Sequence, residues 1–142
     1  MTGIEVRLRE ASGLCEVLAA GFEGFEVMRR LARACEDLEP GLLVTFMAAA
    51  DAAVDGREAI CAAPSLRSAG GVGAIGETEA GIDVGEAMET LVGLGTLLVE
   101  RLARAGETAA ADGDRQACLA AAAAAAAITR LMARDGHDRL PG

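Results

Sequence analysis

Three carboxylates, Asp51, Asp55 and Glu58, recur at four- and three-residue intervals, so any helix that carries them presents all three on one face. Glu86 and Glu89 stand at the start of a later helical stretch. Carboxylates from facing helices are the raw material of a di-metal centre. That centre also takes histidines in Glu-x-x-His spacing, and the one histidine is His137, near the end of the chain. Oxygen-only binding of Mg2+ or Ca2+ stays formally open. Because the acids lie opposite the apolar residues of the same helix, they read as a solvated acidic surface, a candidate partner-binding face rather than a metal site.

Nucleophilic chemistry has equally little to work with. Cys15, Cys35, Cys61 and Cys118 are scattered singly, without the CxxC spacing of a metal or redox site, and read as free, buried thiols. A Ser–His or Cys–His pair would depend on His137 alone. Gly70-Gly-Val-Gly73 lacks the following Lys-Ser/Thr of a phosphate-binding loop and reads as a spacer. The chain is therefore expected to be non-enzymatic and to use no metal or cofactor.

Composition narrows the partners. The net charge of −9 repels phosphate backbones and anionic lipid surfaces, so neither nucleic acid nor membrane is expected. All 13 basic residues are Arg, interspersed with acids rather than gathered into a stripe. Met1 to Arg9 lacks the apolar core of a signal peptide, and the runs Leu42 to Ala50 and Ala117 to Ile128 are short of the ~20 residues of a membrane span. A cytoplasmic protein is expected.

The elements that must position these residues are helices. There is no Trp or Tyr, β-branched runs are few, and Ala, Leu, Glu and Arg are abundant. The periodicity predicts helices over about 3–38, 42–62, 84–105 and 114–135, with a flexible loop over 64–82 and a frayed tail over 137–142. Thr2-Gly-Ile-Glu5 and Asp83-Val-Gly-Glu86 fit capping boxes, and Asp112 or Asp114 can cap the last helix. The seam Ile4, Leu8, Ala11, Cys15, Leu18, Phe22, Phe25 shifts register near Gly21 and Gly24, where helix 1 either carries a local irregularity or breaks. Short links on both sides of the long loop predict an antiparallel four-helix bundle made of two hairpins. Arg57 falls on the apolar face of the second helix, where it must pair with a carboxylate of another helix or snorkel past the helix end. Gly106 is the expected stop of the third helix.

Arg30-Leu-Ala-Arg-Ala-Cys-Glu36 returns as Arg101-Leu-Ala-Arg-Ala-Gly-Glu107, at an offset of half the chain, as a duplicated helical hairpin would leave it and as chance matches in an Ala- and Arg-rich sequence would too. Ala120 to Ala127 are eight consecutive alanines. Set beside Gly93 and Gly95 of the third helix, they offer a smooth face for close helix approach. They would equally serve as the lining of a ligand cavity, or stand as drift that a helix tolerates.

At Pro64-Ser-Leu-Arg67, Gly70-Gly-Val72 and Leu91-Val-Gly-Leu-Gly-Thr-Leu-Leu98 the sequence resembles a family of small, all-helical actinobacterial proteins of unknown function. The resemblance implies a helical fold and carries no activity and no site residues. Three functions follow from the residues: a protein-interaction or self-associating helical module; an acidic, immunity- or antitoxin-like protein that neutralises a basic partner through Asp51, Asp55 and Glu58; and a small-molecule binder with a cavity beside the alanines.

Overall fold

The computed structural model describes residues 3–69 and 81–139. They form six α-helices: α1 (Gly3–Glu10), α2 (Leu14–Cys35), α3 (Leu43–Cys61), α4 (Pro64–Ala69), α5 (Val84–Thr108) and α6 (Asp112–Arg139). A 3-10 turn, Pro40–Leu42, leads into α3, and no strand occurs among the described residues. The protein is all-α.

The first expected helix is interrupted, but ahead of the glycines named for it. The chain turns at Ala11 to Gly13, where Gly13 takes φ +83°, a left-handed conformation open to glycine. The Ser12 amide and hydroxyl both donate to the Glu16 carboxylate, at 2.7 and 3.0 Å, and fasten the new helix start. Those bonds hold the Glu16 carboxyl below its ordinary range, the backbone bond first and the hydroxyl bond second. Helix α2 then runs unbroken through Gly21 and Gly24.

Three other boundaries move. The stretch 64–82 opens as helix α4, while residues 70–80, including Gly70-Gly-Val-Gly73, lie outside the described residues, as does Thr2 of the first capping box. Helix α5 passes through Gly106 to Thr108, because Gly106 is a packing position facing α6 rather than a stop. Helix α6 continues through His137 to Arg139 instead of fraying after Gly136. The start of α5 is as expected: Asp83 Oδ2 accepts the Glu86 amide at 2.8 Å.

Helix α2 packs on α3 and α5, α6 packs on the same two helices, and α1 rests against α2 and α5. The α5 seam Val84, Met88, Leu91, Gly95, Leu98, Leu102, Ala105 is buried along its whole length. Shifted by half the chain, α2 and α3 fall on α5 and α6, and Gly24 falls on Gly95.

Glycines set how closely these helices approach. A Cβ built at Gly56 of α3 would lie 2.4 Å from Cε1 and Cζ of Phe25, so the ring of α2's largest buried side chain sits directly on the α3 backbone. A Cβ at Gly95 would lie 2.5 Å from Thr129 Cγ2 and 3.3 Å from the Ala125 carbonyl oxygen, and one at Gly106 would lie 3.2 Å from Cys118 Cβ. Ala125 is fully buried in the same α5–α6 contact and Ala121 is fully buried as well, whereas Ala120 and Ala123 face outward. Gly93, expected to share that contact, is exposed instead, since two residues turn a helix by roughly 200°, and a Cβ built there would lie 3.6 Å from Glu5 Oε1.

A denaturant series tests the packing. Gly56→Ala and Gly95→Ala are expected to destabilise by about 1–3 kcal/mol, although alanine is the better helix former by about 1 kcal/mol. Gly93→Ala, free of a clash, is expected to stabilise by up to about 1 kcal/mol. Ala121→Leu and Ala125→Leu should each cost about 1–3 kcal/mol, with Ala123→Leu within about 0.5 kcal/mol of the parent.

Candidate functional site

Helix α3 buries one face and is apolar on part of the other as well. Phe46, Ala49, Ala50, Ala53, Gly56 and Ile60 face inward and are buried. Leu43 and Cys61, apolar though they are, lie off this inner face and are exposed, and Val54 is only half-buried. The outward positions Val44, Met47, Asp51, Asp55 and Glu58 recur at three- and four-residue spacing, so they form one continuous stripe. Its second half is the acidic face read from the sequence: all three acids are exposed, and Asp51 lies 3.6 Å from Arg33 of α2. Its first half is apolar, with Val44 77% and Met47 43% exposed and the exposed Leu43 one turn before Met47.

Glu86 and Glu89 stand exposed on the first turns of α5, a helix whose main packing partners are α2 and α6. They do not join the α3 acids. Among the described residues no group of three or more His, Cys, Asp or Glu side chains converges as a metal cage.

What fixes the stripe outward is the inner face, and one polar group takes part. Arg57 does pair with a carboxylate of another helix: it donates to Glu26 of α2, which Arg29 also holds through two bonds of 3.2 Å. Glu26 is thus a buried acceptor shared by two guanidinium groups, not the surface acid that its spacing to Arg29 suggests. Burial pushes its carboxyl up, but the bonds and charges of Arg29 and Arg57 outweigh burial and leave it below 4.5. A buried charge paired in this way is costly to break from either side.

A second polar tie joins α4 to α6. Asp114, buried near the start of α6, accepts the Ser65 amide at 3.0 Å and the Ser65 hydroxyl at 2.6 Å, so it caps α4 across the fold. Asp112 pairs instead with Arg115 at 3.1 Å. Arg101 reaches back to the Ala11 carbonyl at the end of α1, and Thr45 donates to Asp135 near the end of α6.

The cysteines divide into two kinds. Cys35 and Cys118 are buried, and burial raises both thiols, with the Asp114 charge adding to the rise at Cys118. Cys15 and Cys61 are exposed, contrary to the expectation of four buried thiols: the Ser12-Gly13 turn interrupts the seam just before Cys15, and Cys61 is the last residue of α3. The Cys15 thiol lies 3.8 Å from the Ser65 carbonyl.

Helix α6 carries one more feature. Asp112–Asp135 is long and apolar enough to cross a membrane by length and composition alone, since isolated polar residues interrupt its apolar runs without lowering the average far. Its apolarity is mostly alanine, and its buried stripe packs on α3 and α5. Comparison with family models, curated proteins and solved structures finds no match.

The Glu26 cluster is testable through pH. With a folded value below 4.5, its contribution is complete above that pH and is lost as pH falls through the folded value. Glu26→Gln is expected to cost about 1–3 kcal/mol at neutral pH. The gap between the two chains, read from urea midpoints, should narrow as pH drops from about 7 to about 3.

Proposed function

We propose that this chain is a non-enzymatic protein-interaction module, in which α2, α3, α5 and α6 form an antiparallel four-helix bundle and the outward face of α3 receives the partner. Contacts in opposite chain order support the arrangement: Phe25 meets Gly56 where Arg33 meets Asp51, and Gly95 meets Thr129 where Gly106 meets Cys118. One observation carries the functional reading. Leu43, Val44 and Met47, at three- and four-residue spacing, form an apolar patch on a helix whose inner face is already satisfied. Exposed apolar area costs about 25 cal/mol per Å2 relative to burial, and contiguous patches of this kind mark interaction surfaces.

Two versions use the same face: association of like copies, and neutralisation of a basic protein by Asp51, Asp55 and Glu58. The small-molecule alternative finds less support, because Ala125 packs against Gly95 of α5 and Ala121, also in α6, is fully buried. A charge of −9 favours a protein partner over nucleic acid or an anionic membrane, and a cytoplasmic setting belongs to the same proposal.

Val44→Asp tests it, since the residue is exposed and its replacement spares the core. Light scattering and affinity capture from the native host are expected to reveal a dimer or a bound protein for the parent chain that the variant loses. A parent chain that stays strictly monomeric and captures nothing beyond what the variant captures overturns the proposal.

A further inference from the structure

We infer that the α3 face takes a basic amphipathic helix of a partner protein, with apolar side chains seated on Leu43, Val44 and Met47 and arginine or lysine side chains laid against Asp51, Asp55 and Glu58. The inference rests on the docking face proposed above and supplies the chemistry of its occupant.

The spacing of the stripe argues for a helix. Val44, Met47, Asp51, Asp55 and Glu58 advance by three, four, four and three residues, the recurrence of a helix–helix seam. From Val44 to Glu58 the stripe runs about 21 Å at 1.5 Å per residue, the length of a four-turn helix. A strand or an irregular loop would meet such a stripe at only one or two of its positions, because its side chains alternate with a different period.

Charge argues for a basic occupant. Arg33 reaches Asp51 from α2, at 3.6 Å and with 74% of the Asp51 side chain still exposed, so that acid keeps most of its surface for a partner. A second copy is a poor fit. Parallel overlap would set the three acids against their own copies, and antiparallel overlap would bury them on Val44 and Met47. Each copy also brings a net charge of −9. A cationic helix with an apolar end satisfies both halves of the stripe at once, the apolar half supplying contact area and the acidic half supplying register and steering.

The test is selection of binders to the full chain from a displayed library of ~18-residue helices randomised along one face. Selected helices are expected to place apolar residues at one end and arginine or lysine at three- and four-residue spacing along the rest. Their affinity should fall about tenfold with the double variant Asp55→Asn, Glu58→Gln, fall again as salt rises from about 0.05 to about 0.5 M, and be lost with Val44→Asp. Selected helices without cationic bias, or binding that ignores the double variant while Val44→Asp still abolishes it, overturn the basic-helix inference and leave the docking face standing. Binders indifferent to Val44→Asp as well, or a selection that yields none, overturn the docking face itself. A parent dimer that Val44→Asp dissociates makes the occupant a second copy and overturns the inference in favour of self-association.

Discussion

Phe25 can lie between α2 and α3 only because Gly56 has no side chain, and the rest of the packing follows from that close approach. A ring seated on a backbone fixes both the separation of the two helices and the rotation of α3 about its own axis. Ile60 closes the same interface one turn further on, where a Cβ at Gly21 would come within 2.9 Å of its Cδ1. Once rotation is set, the inward residues of α3 are assigned and so are the outward ones. Val44 and Met47 are therefore exposed by the same contact that buries Phe46 and Ala50.

The opposite pair of helices repeats the device with different atoms. Gly95 and Gly106 of α5 receive Thr129, Ala125 and Cys118 of α6, so the alanine run serves as one wall of a tight contact. Polar groups then lock what the small residues permit. Glu26 holds Arg57 across the α2–α3 interface, Asp114 holds Ser65, and Arg101 holds the end of α1. These are long-range ties between charged or capped groups, and each is specific in geometry where apolar contact is not.

How much of this was legible in the sequence depends on the kind of signal. The all-α class, the α5 seam and the Asp83 cap could be read directly, because periodicity and capping chemistry are local. The need of Arg57 for a carboxylate on another helix was legible too, although its identity as Glu26 was not. The turn at Ser12-Gly13 was missed because an apolar seam can continue in register across a break. The Ser-Gly pair was the available sign. Gly56 was invisible as a packing position, since its meaning depends on a ring 31 residues earlier in the chain. At the candidate site the acids were found from spacing alone. Their continuity with Val44 and Met47 emerged only when the rotation of α3 was known.

The acidic and apolar halves of α3 thus belong to one surface, and the proposed docking role places a partner on it. Hydroxyl-radical footprinting tests that role at a single side chain, because Met47 is exposed and readily oxidised while Met28 and Met132 are buried and serve as internal references. Met47 is expected to be oxidised in the purified chain and protected in native extract, with the two buried methionines unchanged. Equal oxidation of Met47 in both settings would contradict a docking role for the α3 face.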